Sequence, residues 1–359
     1  MTPDQECFRE FVRTVGRGER RARALSVDDA RVAMGMILDG RADREQSSAF
    51  LLALRIKGED PGEVAGFAQA MMERCAAARN LPDTAAHAVS VGHAYDGRED
   101  TFIMGAGAAI VAAAAGARVV LHGAPSVPMK HAPTVGEVLI AMGLPAYLPP
   151  DRVGESFSRC GFVHCSTPDF LPAWSAQLEV REKIGLRLPF STVEKLLDPL
   201  RTGNLIVGIA HGPYLARIAG AFRRLNVRQG LVVQGLEGSC DLSPQHPTRA
   251  AEAWPDPNPD AAAREISVDP AQLGIAAAAA LDVRAVGADP LGAAELTKRA
   301  LEPGRRGDGE SRAAAEALAL NAAILLWRAG VTPDIPAALQ RARETIASGA
   351  AHERMIAAK

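Results

Sequence analysis

The residues of this chain that could bind a charged ligand are concentrated between Val89 and Gly123. A strand-like run, Ala88 to Val91, enters a glycine-containing loop at Gly92 to Gly97. An alanine-rich helix over Gly105 to Gly116 then leads to a second strand at Ala117 to Leu121. This is the order of a βαβ unit. Backbone N–H groups and the positive end of a helix dipole meet at such a loop-to-helix junction, so the segment predicts an anion site.

The candidate ligands of this anion are glycines and polar side chains in and just after the unit. They are Gly92, His93, Asp96, Gly97, Thr101, His122, Gly123 and Lys130. Glycine lets the backbone approach a phosphate closely, and protonated nitrogen groups pair with its charge. His93 is a candidate phosphate ligand at low pH, whereas His122, at a strand end, is predicted to have a positioning role.

The segment from Gly92 resembles the anthranilate phosphoribosyltransferase family, whose members write GTGGDG, then TFNIST, an alanine-rich helix and KHG. Here GTGGDG reads GHAYDG, NIST reads IMGA, and KHG reads LHG. In the family these groups bind phosphoribosyl pyrophosphate (PRPP). The resemblance therefore implies a sugar-phosphate site whose frame is kept and whose phosphate-binding groups are largely lost.

A second segment, LVVQGLEGSCDLS at Leu231 to Ser243, resembles the family's LVVHGxDGLDEIS. In the family the adjacent Asp and Glu hold the magnesium that accompanies PRPP. That pair reads here Cys240 and Asp241, and the preceding Asp reads Glu237. Magnesium prefers oxygen ligands, so Glu237 and Asp241 are predicted to form at most a weakened metal site. We expect no cofactor, and Mg²⁺ only if a transferase activity is retained.

A third segment contains Arg181, which matches the family's VR, a motif that positions the carboxylate of an aromatic acceptor. Arg181 is therefore a candidate acceptor-site residue. The alternative is an ion pair on a helix surface or between domains. The family's FNxLGPLxNP, which follows, reads here FSTVEKLLDP from Phe190 to Pro199.

The resemblance covers essentially the whole chain and implies its fold. We predict a small N-terminal all-helical domain and a larger α/β domain with a mostly parallel central sheet, the nucleoside phosphorylase/phosphoribosyltransferase class III fold. The helical domain is predicted over 1–84, joined by about 172–200, and the α/β domain over 85–171 and 201–359. Ser26 is predicted to cap a helix. The Pro-rich stretch between Ser243 and Ile266 is predicted to be a surface excursion.

Two further segments, Val15 to Arg23 and Ala210 to Ala219, resemble the YbiB-type relatives of the family, which keep the fold and bind nucleic acid without the parent activity. Arginines cluster in and near both. The nucleic-acid-binding candidates are Arg13, Arg17, Arg20, Arg21, Arg23, Arg217, Arg223 and Arg224, with Arg305 and Arg306 as a third focus.

These arginines could neutralise successive phosphates, most effectively if a homodimer through the N-terminal helical domain doubled them along a groove. The alternative is that they form solvated faces paired with Glu6, Glu10 and Glu19. A net charge of −2 argues against a protein that coats itself in nucleic acid, and only 4% of the residues are aromatic. Any binding is therefore expected to be directed at phosphates and poor in sequence preference.

Composition predicts a soluble cytoplasmic protein. Hydrophobic residues make up 48% of 359 residues, enough to bury a large core. The five cysteines have no metal-binding spacing, which is typical of a reducing compartment. The charged first residues lack the apolar core of a signal peptide, and no apolar run approaches the ~20 residues of a spanning helix.

Three hypotheses about function follow. The first is a non-catalytic, dimeric protein that binds nucleic acid. The second is a divergent phosphoribosyl or glycosyl transferase that uses PRPP and an unidentified aromatic acceptor, with Asp96, Thr101, Lys130, Arg181, Glu237 and Asp241 in a rebuilt site. The third is a regulatory binder of a small phosphorylated ligand. Fold alone cannot choose among them.

Overall fold

The computed structural model describes residues 1–18, 20–276, 280–304 and 309–359. Glu19, Arg305 and Arg306, which the sequence analysis names, lie outside the described residues. Within the described ranges, no helix is both long and apolar enough to cross a membrane.

The chain begins with four helices and no strand, as predicted. These are α1 (Pro3–Gly16), α2 (Val27–Leu38), α3 (Arg44–Lys57) and α4 (Pro61–Arg74). Each helix begins after a side chain that accepts a hydrogen bond from its first turn, which satisfies a backbone N–H that has no partner within the helix. The prediction for Ser26 is confirmed, because its side chain accepts from the N–H of Asp29.

The rest of the chain contains one seven-stranded sheet in the order β3-β2-β1-β4-β5-β6-β7. Its strands are β1 (Val89–Gly92), β2 (Val119–Gly123), β3 (Phe162–Ser166), β4 (Asn204–Gly208), β5 (Gln229–Val233), β6 (Thr248–Ala253) and β7 (Arg264–Val268). The first five are mutually parallel, and β6 and β7 are antiparallel to their neighbours. A helical domain followed by an α/β domain with a mostly parallel sheet confirms the predicted fold class.

The remaining helices lie between or after these strands along the chain. They are α5 (Gly105–Ala114), α6 (Val135–Ala141), α7 (Pro150–Cys160), α8 (Thr167–Phe170), α9 (Pro172–Ser175), α10 (Leu178–Ile184), α11 (Phe190–Val193), α12 (Tyr214–Arg224), α13 (Val283–Val286), α14 (Pro290–Leu301), α15 (Gly309–Arg328), α16 (Ile335–Ala347) and α17 (Ala350–Ala357). The predicted β1-α5-β2 unit is present, with ends that differ from the prediction by at most two residues.

Alternate side chains of the central strands supply two separate cores, because successive strand residues point to opposite faces. Ile206 and Leu231 pack with α5, α14 and α15. Val207 and Val232 belong instead to the core of the helical domain. That second core also contains residues from 171 to 197, among them Trp174. The helical domain therefore shares one core with one face of the sheet and with residues 215–222.

The stretch between Ser243 and Ile266 is not the predicted surface excursion, because it contains β6 and the start of β7. Ala250, Ala251 and Ala253 are buried between two neighbouring strands. Alanine has low intrinsic strand propensity, so the sequence carries little strand signal there. In this segment burial and pairing on both sides override local preference.

Candidate anion-binding cleft

A cleft of about 380 Å³ lies between the helical domain and the carboxyl ends of β1 and β4. Strand order reverses between these two strands, since β2 and β3 lie on one side and β5 to β7 on the other. Such a switch point is the usual position of a ligand crevice in an open α/β sheet. Ionisable side chains from both domains line it, including Arg55, Glu59, Lys130, Arg187, Lys195 and Glu237.

Two glycines hold the loop that follows β1 in place. A Cβ atom on Gly92 would lie 2.0 Å from the carbonyl oxygen of Lys195, and one on Gly97 would lie 1.9 Å from that of Ala132. Gly97 also has a φ of 81°, which favours glycine. Both positions are therefore required for close backbone packing, and they bring the loop against the segment that carries Lys195.

Tyr95, which stands at a glycine of the resembling motif, and His93, which stands at its threonine, both point into the core. Tyr95 is only 2% exposed, and its hydroxyl lies 2.6 Å from Nδ1 of His122 and 2.8 Å from the hydroxyl of Thr167. His93 is buried, and its Nδ1 accepts a hydrogen bond from the N–H of Cys240. Neither side chain lines the cleft.

Asp241 is held in a buried ion pair with Arg98. An Nη1 to Oδ2 distance of 2.5 Å joins them, and the two residues are 1% and 3% exposed. The same Asp241 oxygen accepts from the N–H of Met104, at the start of α5. Arg98 also donates through Nη2 to the carbonyls of Thr101 and Phe102. Asp241 therefore contacts the chain's own cation and a helix N-terminus, and it does not line the cleft.

Glu237 lines the cleft, and the loop after β1 surrounds its carboxylate with donors. The N–H groups of Glu99, Asp100 and Thr101 lie 2.9, 3.1 and 3.0 Å from its oxygens. The Thr101 hydroxyl donates at 2.7 Å and the Lys130 ammonium at 3.0 Å. Desolvation raises the pKa of Glu237, but these hydrogen bonds outweigh it and bring the pKa to about 2. The Glu237 carboxylate therefore occupies the N–H groups of the loop that was predicted to bind an anion.

Both carboxylates of the predicted magnesium site accept hydrogen bonds from the chain itself. The carboxylates of Glu237 and Asp241 are bonded to separate sets of donors. Among the described residues no group of three or more His, Cys, Asp or Glu side chains could hold a metal ion. A hard cation would therefore have to compete with the chain's own donors for both carboxylates.

Arg181 is 1% exposed and does not line the cleft. Its guanidinium bonds both carboxylate oxygens of Glu194, at 2.7 and 3.2 Å, and Trp174 Nε1 donates to the same carboxylate at 2.8 Å. Glu194 was not singled out in the sequence. The sequence feature that could have revealed it is a substitution, because the family's FNxLGPLxNP has a glycine where this chain has Glu194.

The other predicted anion-site residues have different surroundings. Asp96 lines the cleft and pairs with Arg187 at 2.6 Å. Lys130 lines it between Glu237 and Glu99. His122 and Gly123 end β2 within the core, where the nearby His164 is also buried. Asp96, Lys130 and Glu237 therefore line the cleft, whereas the predicted His93 and His122 are buried and do not line it.

Lys195 lines the cleft and was missed in the sequence. Its ammonium donates to the carbonyls of Gly208 and Gly238, at 3.0 and 2.9 Å. Burial lowers the pKa of Lys195. Arg55 also lines the cleft, and among the described residues neither cation has a carboxylate within ion-pair distance.

The predicted nucleic-acid-binding arginines fall into two groups. Arg17, Arg20, Arg21 and Arg23 are exposed, and within the described ranges their guanidinium groups make no hydrogen bond or ion pair. The others are engaged. Arg13 pairs with Glu10, Arg217 with Glu59, and Arg224 with Asp260, while the buried Arg223 donates to the carbonyl of Ala262.

Comparison with known proteins assigns the chain to a family. Residues 9–75 match the glycosyl transferase family, helical bundle domain, and residues 95–352 match the glycosyl transferase family, a/b domain. Anthranilate phosphoribosyltransferase from Stenotrophomonas maltophilia is 31% identical over 96% of this chain and 94% of its own length. The chain belongs to the anthranilate phosphoribosyltransferase family of glycosyl transferases.

Solved structures agree with this family assignment. The crystal structure of anthranilate phosphoribosyltransferase from Thermus thermophilus is 27% identical, covers 98% of this chain and 97% of its own, and has a TM-score of 0.78. The enzyme from Saccharomyces cerevisiae, in complex with PRPP and Mg, has the same fold at 19% identity and a TM-score of 0.77, over 98% and 97% of the two chains. The predicted family and fold are therefore confirmed.

The three buried histidines of this family member predict a loss of stability in mild acid. Burial lowers the pKa of His93 to about 4 and those of His122 and His164 to about 3, from 6.5. The unfolded chain therefore binds more protons below about pH 6.5, and the free energy of unfolding falls as the pH drops from there towards about 4. Each histidine contributes up to about 1.4 kcal/mol per pH unit.

Urea denaturation at several pH values between about 7.5 and 5 measures this slope. We expect His164→Leu to reduce it and the exposed His211→Gln to leave it unchanged. Equal slopes for wild type and His164→Leu would contradict the assignment.

The Arg98–Asp241 pair predicts a large, coupled effect on stability. Arg98→Met or Asp241→Asn leaves a buried charge without its partner, so each is expected to lower the free energy of unfolding by about 3–5 kcal/mol. The double variant should recover part of this loss. As a control, Arg249→Met in the exposed Arg249–Glu265 pair should cost less than about 1 kcal/mol. Additive losses in the double variant, measured by urea denaturation, would refute the coupling.

Proposed function

We propose that this family member is a non-catalytic protein that binds nucleic acid through its phosphates. One observation carries the first half of the proposal: the chain's own groups bond both carboxylates of the predicted weakened metal site, Glu237 and Asp241. Arg98 pairs with Asp241, and the amides of residues 99–101 with Lys130 hold Glu237. A PRPP–magnesium complex would have to displace both sets of contacts.

The acceptor side of the cleft supports the same conclusion. The resemblance gives Arg181 the task of holding an acceptor's carboxylate. In this chain the carboxylate of Glu194 already occupies that guanidinium, and Trp174 completes its hydrogen bonding. Removing Glu194 from this buried pair would leave an uncompensated cation. An aromatic acid therefore has no free partner at Arg181.

The exposed arginines after α1 support nucleic acid as the ligand. Arg17, Arg20, Arg21 and Arg23 carry four positive charges without a partner among the described residues. Long-range attraction to a phosphate backbone needs such uncompensated surface charge. Scarce aromatic residues favour contacts to the backbone rather than to bases.

Contacts connect this basic loop to the cleft. The N–H of Leu25, just beyond the loop, donates to Glu63, which also pairs with Lys57 at the end of α3. Next along the chain, Glu59 pairs with Arg217 and lines the cleft. The basic loop and the cleft are therefore joined through one chain of contacts. In a cytoplasmic homodimer through the helical domains, two such loops would serve one polymer.

The second candidate function is a divergent phosphoribosyl transferase, and the family relatives favour it. The relatives at about 30% identity are named anthranilate phosphoribosyltransferase, and the yeast structure holds PRPP and Mg. The cleft of about 380 Å³ at the sheet switch point offers room for a substrate. If this function holds, the protein is an enzyme that transfers a pentosyl group from PRPP and uses Mg²⁺.

Titration calorimetry with PRPP, with and without Mg²⁺, separates the two functions. We expect no magnesium-dependent heat, because Arg98 and the 99–101 amides hold the metal-site carboxylates. Anthranilate fluorescence should likewise stay constant when the protein is mixed with PRPP, Mg²⁺ and anthranilate. The Stenotrophomonas maltophilia enzyme serves as the positive control. Turnover of anthranilate above the buffer rate would instead support the transferase.

Neutralising the basic loop should weaken nucleic-acid binding without unfolding the protein. The test variant carries glutamine at Arg17, Arg20, Arg21 and Arg23, and fluorescence anisotropy follows a labelled oligonucleotide at several salt concentrations. We expect weaker binding and a log–log salt slope that is shallower by up to about four, one unit per lost phosphate contact.

The matched control carries glutamine at four arginines elsewhere on the α/β domain: Arg152, Arg159, Arg201 and Arg354. It has the same net charge as the test variant. Equal weakening in both variants would show a general charge effect, and no binding by wild type at low salt would refute the nucleic-acid function.

A further inference from the structure

We infer that Ser126 is a reactive nucleophile that accepts an acyl group from an activated ester, with His131 as its general base and Glu182 as the residue that positions His131. This inference goes beyond the proposed function, because it concerns one covalent transfer at the protein surface rather than the binding of a polymer or the transfer of a pentosyl group. The three side chains do not line the cleft.

The three side chains are joined through the imidazole ring of His131. The hydroxyl of Ser126 lies 3.0 Å from Nδ1, and a carboxylate oxygen of Glu182 lies 2.8 Å from Nε2. An ionised carboxylate only accepts, so Nε2 carries the proton of the neutral ring and Nδ1 accepts the Ser126 O–H. Nucleophile, base and orienting acid thus stand in the order that activates a serine hydroxyl.

The backbone of the loop between β2 and α6 brings the nucleophile and the base together. Ser126 and His131 have φ angles of 52° and 51°, in the left-handed region that residues other than glycine rarely adopt. Between them the N–H of His131 donates to the carbonyl of Val127 at 3.1 Å, which closes a turn. Such backbone strain is concentrated at functional sites. Glu182 reaches the ring from α10, a separate part of the chain.

The transfer needs only the ester and these side chains. The Ser126 oxygen attacks the carbonyl carbon of the ester while its proton moves to Nδ1 of His131. The bond from that carbon to the leaving group breaks, and the leaving group takes the proton from Nδ1, so that O-acyl Ser126 and an alcohol or thiol are formed. While the ring holds the extra proton, it donates to Glu182 and to the Ser126 carbonyl, which lies 3.1 Å from Nδ1.

The exposure of the three residues defines the class of acyl donor. Ser126, His131 and Glu182 are all exposed, so a small donor can reach the hydroxyl directly. An open site does not enclose the leaving group. The donor must therefore be an aryl ester or a thioester, whose leaving group departs readily.

Acetylation by p-nitrophenyl acetate near neutral pH tests the inference. We expect a burst of p-nitrophenolate and a single acetyl group on each chain, which peptide mass spectrometry should place on Ser126. Hydroxylamine should remove this group because it is an ester, whereas an acetyl group on a lysine amine would remain. Ser126→Gly, which tolerates the positive φ, should abolish the burst.

Variants of the other two residues test their roles. His131→Gln should slow acetylation of Ser126 about hundredfold, because a positioned general base contributes at least that much. Glu182→Gln should slow it less, and Glu182→Asp should restore part of the rate, as expected of a residue that positions the base.

The matched controls are His246→Gln and Ser267→Ala, which remove an exposed imidazole and an exposed hydroxyl elsewhere and should leave the rate unchanged. Thermal unfolding of each variant shows whether it is folded. Acetyl groups on lysines alone in wild type, or an unchanged rate at Ser126 in folded His131→Gln, would overturn the inference. Either result leaves the nucleic-acid function standing, because these three residues lie outside the basic loop.

Discussion

The ion pair between Arg98 and Asp241 is the interaction on which the rest of the cleft depends. It ties the loop after β1 to the turn after β5, and through Met104 it also fixes the first turn of α5. Arg98 holds the carbonyls of residues 101 and 102 at the same time, which turns the N–H groups of residues 99–101 towards Glu237. Arg98 therefore stabilises this loop conformation through contacts at both of its ends.

A similar pairing holds for other charges in and beneath the cleft. Each ion that leaves water must find a partner, and in this protein the partner is nearly always a side chain of the chain itself. Glu194 pairs with Arg181, Asp96 pairs with Arg187, and Glu237 pairs with Lys130. Lys195 is an exception, because its ammonium is held by backbone carbonyls.

Local patterns in the sequence were sufficient to predict the helical domain, Ser26 as a cap and the β1-α5-β2 unit, because these features depend on neighbouring residues. The strand β6 was missed since its alanines are selected by pairing on both sides rather than by propensity. Arg223 was predicted at a nucleic-acid surface but is buried against residue 262, which its helical position alone does not reveal.

The partners in the cleft were beyond sequence reasoning for a related reason. Arg98 and Asp241 are 143 positions apart, and Arg98 falls between two recognisable motifs. Comparison of the motifs therefore revealed the altered carboxylate pair at 240 and 241. It did not reveal that Arg98 pairs with Asp241. In the sequence, Glu194 and Lys195 appear only as departures from the FNxLGPLxNP pattern. The fold buries Glu194 in an ion pair and places Lys195 at the cleft.

The Arg98–Asp241 pair also limits how the chain can change. Both residues are buried, so a substitution of either one alone would leave the other as an unpaired charge away from water. A different arrangement at this place therefore requires both residues to change together, so that the two positions are constrained as one unit.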